Sequence, residues 1–204
     1  MRRYGLILAG GQGERLGHVR KADLRIGGIR LIERVAARFS ALETPILVSI
    51  AQEQHLALDG AIPLPDALPT RSGPMAGIYA ALDYLGEEVD EQSVLIVAAV
   101  DTPFLPENYV ARLTEPLAAG HTAAFARWNG TDYPTNAAFR IAEVRNHLRA
   151  LPMDSRPNGP KSLLAALGAA PVEWSDSSGE NPFANCNTLE ELIFLGRRAR
   201  DAAK

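Results

Sequence analysis

Short, wholly apolar runs alternate along this chain with longer stretches in which apolar residues return every three or four positions, and glycine and proline stand at the joints. The runs at 4–9, 45–50 and 94–100 have the length and composition of buried strands. The last of these is apolar throughout and rich in β-branched residues, as expected of a parallel strand covered on both faces, so it should be central. Helical spacing predicts helices over 31–42, 75–85, 107–118, 162–167 and 188–203, and residues 122–128 and 136–139 should be extended. In the final helix Leu189, Leu192, Ile193 and Leu195 share one stripe, with Asn187 or Thr188 as its cap. Four prolines or glycines among the nine residues 152–160 predict an exposed loop. The alternation of strand and helix implies a three-layer, Rossmann-like α/β fold around one mostly parallel sheet, with residues 1–204 forming a single domain.

Composition narrows the function. With 47% hydrophobic and 22% charged residues the 204-residue chain supports a packed core. Twenty-one basic against twenty-four acidic residues give a net charge of −3, which offers no general attraction to nucleic acid or to an anionic membrane. An anionic ligand must therefore be held by a local site. The lone Cys186 makes no intrachain disulfide and fits a reducing cytoplasm, and histidines 18, 55, 121 and 147 show no metal-binding spacing. Arg2 and Arg3 before an apolar stretch suggest a secretion signal, but the glycines from Gly10 onward interrupt it too early. No apolar run approaches the roughly 20 residues needed to span a bilayer, so the chain is expected to be soluble.

The first strand runs into Leu8-Ala9-Gly10-Gly11-Gln12-Gly13-Glu14-Arg15-Leu16-Gly17. Glycines after a buried strand let the backbone approach a phosphate and turn N–H groups toward it. Two familiar cradles fail on spacing. Gly11, Gly13 and Gly17 are one residue off the dinucleotide fingerprint, and Gly17 is followed by His18 where a Walker loop needs lysine. The segment is either a plain tight turn or an anion site of another kind, and Arg15 and Lys21 just beyond it favour the second reading.

Asp101 directly follows the expected central strand, at the carboxyl edge where open α/β sheets bind ligands. A carboxylate facing a phosphate loop suits Mg²⁺, whereas an aspartate ahead of Pro103 is also a common turn residue. Gly73 to Gly77 opens a helix either as an ordinary start with Pro74 in the first turn or as a place of close approach. Asn185 and Asn187 alternate around Cys186, which sets their amides on one side to grip a substrate or to cap the last helix.

Four segments, in this order, resemble one known family. The Leu8-to-Gly17 loop with Lys21 downstream resembles the Leu-Ala-Gly-Gly loop of nucleotidyltransferases. Gly73-Pro74-Met75-Ala76-Gly77, Asp101-Thr102-Pro103-Phe104-Leu105-Pro106 and Asn185-Cys186-Asn187-Thr188 are similar to further motifs of the molybdenum cofactor guanylyltransferases, which join GMP from GTP to molybdopterin. The resemblance spans nearly the whole chain and implies a nucleotidyltransferase fold, with Mg²⁺-dependent transfer to the terminal phosphate of the pterin and release of pyrophosphate. It implies that Leu8, Ala9, Gly10, Gly11 and Gly13 cradle the nucleotide, that Asp66 helps bind it through the guanine donors, and that Ser49 stands where the family has a nucleotide-contacting asparagine. Arg15 and Lys21 would neutralise the pyrophosphate, Asp101 would hold Mg²⁺, and Asn185 and Asn187 would contact the pterin. It further implies cofactor-biosynthesis proteins or molybdoenzymes as partners. From the residues alone, Asp66 can equally be a solvated loop acid.

The chain also departs from the family. Arg20 replaces the acidic residue before the lysine, with Asp23 two positions beyond it, and Tyr133 of Tyr133-Pro134-Thr135 replaces a histidine, so that turn is assigned no chemistry. Two other readings stay open: the same chemistry with CTP or another phosphorylated acceptor, and a relative that binds nucleotide or pterin without catalysis.

Overall fold

The computed structural model describes residues 1–10, 19–51, 58–65, 73–87, 89–175 and 179–201, together with the backbone of 12 and 13. The strands are β1 (Arg3–Leu8), β2 (Gln12–Gly13), β3 (Val19–Arg20), β4 (Arg25–Ile26), β5 (Ile29–Arg30), β6 (Leu47–Ile50), β7 (Ile62–Pro65), β8 (Val94–Ala99), β9 (Ala123–Trp128), β10 (Thr131–Arg140) and β11 (Ala170–Trp174). The helices are α1 (Leu31–Ala36), α2 (Pro74–Leu85), α3 (Tyr109–Ala118), α4 (Ile141–Ala150), α5 (Pro160–Ala166) and α6 (Leu189–Asp201). Seven strands form one sheet in the order β11-β9-β10-β8-β1-β6-β7. Within this sheet every pairing is parallel except those made by β10, which runs antiparallel to both β8 and β9.

Neighbouring residues of the central strands point to opposite faces, and this builds the three layers. Ile7, Val48 and Ile96 pack with α1, α3 and α6 on one face, whereas Leu6, Leu47 and Leu95 pack with α2, α4 and α5 on the other. All six residues of β8 are buried, in keeping with its central place. The expected mostly parallel three-layer fold is therefore present. None of the described helices is long and apolar enough to cross a membrane.

Several boundaries differ from the sequence reading. The helix expected over 31–42 ends at Ala36 and tightens into a 3₁₀ turn at Ala37–Phe39, closed by Leu42 N–H on Phe39 O. The loop at 152–160 contains a 3₁₀ turn at Met153–Ser155, and its last residue, Pro160, is buried as the start of α5. The extended stretch at 136–139 belongs to the longer β10, whose pairing with β9 shifts register between Tyr133 and Ala137.

Gly77, in the first turns of α2, shows why the motif there is built of small residues. A Cβ on Gly77 would lie 2.5 Å from Ser49 Oγ, 2.6 Å from Ser49 Cβ and 2.7 Å from Leu8 Cδ2. The missing side chain lets the helix start sit directly on the carboxyl ends of β1 and β6. Overpacking costs about 1–3 kcal/mol and outweighs the gain of up to about 1 kcal/mol from alanine's helix preference. Gly77→Ala should therefore lower the urea midpoint with an unchanged slope, and an unchanged midpoint would show that α2 does not need this approach.

Candidate active site

The order of the sheet places β6 and β7 to one side of β1 and β8 to the other, so the strand order reverses between the parallel neighbours β1 and β8. At such a point the loops leaving the two strands diverge and open a crevice. A cleft of about 350 Å³ lies there, lined among the described residues by Leu8 at the end of β1 and Gly10 beyond it, Ser49 on β6, Gly73 and Pro74 at the start of α2, Asp101 after β8, and Lys21, Thr135 and Asn185. Residues far apart in sequence thus converge on one site.

Lys21 arrives by a local device that hydrophobic pattern does not reveal. The glycine segment folds back as β2 against β3, pairing Gln12 with Arg20 and Gly13 with Val19, and a 3₁₀ turn at Lys21–Asp23 follows. Lys21 Nζ lies 2.8 Å from Asp101 Oδ2 and also donates to Asn187 Oδ1. The two charged side chains are only 14% and 19% exposed, so the pair sits within the cleft and not on its rim. The cation that replaces the family's acid before the lysine is drawn elsewhere: Arg20 Nε donates to Asp23 Oδ2 at 2.7 Å. The opposite charges at 20 and 23 thus answer each other across one short turn.

The turn bearing Asp101 is held by its backbone. Val100 N–H donates to Leu8 O at 3.1 Å, Thr102 N–H to Ala99 O at 3.2 Å, and Cys186 N–H to Asp101 O at 2.9 Å. The last bond brings the Asn185-to-Thr188 segment to the site. Burial, and secondarily the negative charge of Asp101, push the Cys186 thiol up to about 11, so it remains protonated at neutral pH and supplies no thiolate nucleophile.

The alternatives for the asparagine pair now separate. Thr188 caps α6: its Oγ1 accepts from Glu191 N–H at 3.2 Å, while Glu191 Oε2 accepts from the backbone N–H groups of Thr188 and Asn187 at 3.0 and 2.6 Å. The Asn187 side chain is not the cap; its carbonyl faces Lys21. Asn185 is exposed on the cleft wall. The two amides therefore do different things.

Leu8, the last residue of β1, and Gly10 beyond it line the cleft, but Ala9 is 4% exposed and packs into the core. Ala9 N–H is taken by Ser49 O at 3.0 Å, and Leu8 O by Val100 N–H, so neither group is a vacant partner for a nucleotide. Ser49 is 3% exposed and sits beneath Gly77, where a small side chain suits the close helix. Gly13 is described by its β2 backbone, and Gly11, Arg15 and Asp66 lie outside the described residues. Sequence reasoning assigned nothing to Thr135, which lines the cleft, or to the fully buried Asn136 beside it. A polar residue directly ahead of the apolar Ala137, Ala138 and Phe139 is the available signal for Asn136.

Comparison with known proteins adds three kinds of similarity. A family model described as the MobA-like NTP transferase domain matches residues 5–172. The molybdenum cofactor guanylyltransferase of Rhodobacter capsulatus is 37% identical over 208 residues, covering 100% of both chains. Two solved structures share the fold at 22% identity. Molybdopterin-guanine dinucleotide biosynthesis protein A from Archaeoglobus fulgidus has a TM-score of 0.74, covering 97% of this chain and 99% of its own. The 2-C-methyl-D-erythritol 4-phosphate cytidylyltransferase from Thermus thermophilus has a TM-score of 0.69, covering 98% and 100%.

Proposed function

Because the chain belongs to the MobA-like NTP transferase family, we propose that it transfers GMP from GTP to the terminal phosphate of molybdopterin and releases pyrophosphate. The observation that carries this reading is the meeting of Lys21 and Asp101 at the switch point of the sheet, at the mouth of the glycine loop. An oxygen of the acceptor phosphate attacks the α-phosphorus, the bond to the bridging oxygen breaks, and its electrons leave with pyrophosphate. The nucleophile belongs to the substrate, so the protein's work is orientation and charge neutralisation. In this reading Gly10, Gly11 and Gly13 face the phosphates, Lys21 and Arg15 offset the charge of the leaving group, and Asn185 faces the pterin.

The residues present fit Mg²⁺. Asp101 offers a hard oxygen donor where the ammonium of Lys21 already stands as a cation, and among the described residues no three carboxylates, histidines or cysteines gather to form a closed protein cage. That suits an ion held by one carboxylate with phosphate and water completing its shell. When bound, Mg²⁺ would draw negative charge from the reacting phosphate oxygens. Residues 1–204 act in this reading as one nucleotidyltransferase domain in the cytoplasm, handing the product to cofactor-biosynthesis or molybdoenzyme partners.

The choice of GTP rests on Asp66, whose carboxylate can accept from guanine N1–H and its amino group together. A base that leaves such a carboxylate without partners is penalised by about 1–3 kcal/mol, or about tenfold to a hundredfold in kcat/KM. Ser49, smaller than an asparagine, points to the lower end of that range. Parallel kcat/KM values with molybdopterin should rank GTP above CTP and ATP, and Asp66→Asn should narrow the gap. Preference for CTP would overturn the guanylyl assignment.

A further inference from the structure

Behind the Asp101 turn lies a buried polar node that the chemistry above does not use. Asn136, Thr102 and Tyr109 are each 0% exposed. They come from three elements: Asn136 from the irregular part of β10, Thr102 from the turn after β8, and Tyr109 from the start of α3. Thr102 Oγ1 is 2.8 Å from Ala99 O and 3.2 Å from the Asn136 amide. Tyr109 Oη is 2.5 Å from Val97 O and 3.4 Å from the same amide.

The proton count fixes what the amide must do. Each hydroxyl owns one proton, and each lies nearer a β8 carbonyl than the amide, so both protons go to the strand. Burial pushes the Tyr109 phenol well above its ordinary range, which keeps it a donor at any working pH. Asn136 therefore meets two oxygen lone pairs. With its carbonyl toward them, the amide nitrogen would be buried without a partner. Turned end for end, its two N–H groups satisfy the two hydroxyl oxygens, one each, and the more costly orphan donors disappear.

We propose that Asn136 is a positioning residue that acts on Asp101 through Thr102, tying the turn after β8 to the stretch of β10 whose Thr135 lines the cleft. Thr102 directly follows Asp101, and its hydroxyl bonds to Ala99 at the base of the same turn. The Asn136 amide meets hydroxyls from both this turn and α3. Removing it loosens the floor beneath the carboxylate while leaving every nucleotide-facing residue in place. The inference rests on Asp101 taking part in the reaction.

The test uses the full chain carrying Asn136→Leu, similar in volume but unable to donate, and Thr102→Val, which keeps the shape and removes the hydroxyl. Misplacing a reacting group by a fraction of an ångström justifies an expected fall in kcat of about tenfold. KM for GTP should stay within about twofold of wild type. The Mn²⁺ concentration for half-saturation of the protein with GTP bound, read by electron paramagnetic resonance without turnover, should rise about tenfold in both variants. If Asn136→Leu does not fold, Thr102→Val alone decides by the same two readings. Wild-type kcat and Mn²⁺ affinity in folded variants, whether or not the melting temperature falls, would overturn the inference and leave the node a packing feature. If Asp101→Asn itself retains full kcat and Mn²⁺ affinity, the reading beneath the inference fails with it.

Discussion

Asp101→Asn is expected to fold like the wild type and to lose turnover by about two orders of magnitude. The substitution keeps the volume and the backbone bonds that hold the turn, since Cys186 and Val100 bind main-chain groups. What disappears is the negative charge at the carboxyl end of β8, the charge that would oppose Mg²⁺. Removing one preorganised group that stabilises developing charge, such as an oxyanion-hole donor, costs about 10²–10³-fold in rate, and a loss on that scale is expected here. Circular dichroism and urea unfolding should be close to wild type, with kcat reduced even at saturating Mg²⁺. Near-normal kcat under those conditions would remove Asp101 from the chemistry and leave it a turn residue.

Lys21→Met should have an effect of similar size for a different reason. Methionine keeps the length and apolar stem of the side chain and deletes the ammonium that would offset the pyrophosphate. That ammonium donates to Asp101 and Asn187, and its third N–H is the donor a triphosphate oxygen would take. With the pair only 14% and 19% exposed, deleting the cation leaves a largely buried carboxylate short of a partner, which should cost about 1–3 kcal/mol of stability, and loss of a cation at the leaving group should cost about 10²-fold in kcat/KM. The expected result, measured below the urea transition where the variant is folded, is that kinetic loss together with a lowered urea midpoint. A lowered midpoint with near-normal kcat/KM would mark Lys21 as a structural cation that secures the Asp101 turn.

What the sequence made legible follows from where apolar pattern is strong. β1 and β8 are buried on both faces and stood out as continuous apolar runs. β7 did not, because Pro63 and Pro65 break the expected strand composition; they are tolerated because β7 is the outermost strand and pairs with β6 alone. α4 carried a readable spacing in Ile141, Val144 and Leu148, and β11 an alternation that buries Val172 and Trp174, but neither was assigned. Their charged neighbours and short lengths diluted the signal.

At the site, residue types were legible and partnerships were not. Glycine, lysine and aspartate after two buried strands are enough to suggest phosphate chemistry. That Lys21 reaches Asn187, 166 residues away, depends on the β2–β3 hairpin and on the bond between Cys186 and Asp101, and no local pattern encodes either. The same holds for Asn136, whose importance lies in two hydroxyls brought to it from other elements. Arg20 illustrates the converse. Read in sequence it is an extra cation beside the lysine, and in the fold it is paired with Asp23.

The central claim is that the guanylyl group itself moves to the pterin, and following the label from GTP marked at the α-phosphate tests it most directly. With molybdopterin and Mg²⁺ present, the label should appear in a pterin dinucleotide in equal amount to the pyrophosphate released, and neither should form when molybdopterin is left out. Label that stays in bound, unconverted GTP, or that appears as free GMP with the pterin unchanged, would contradict the account.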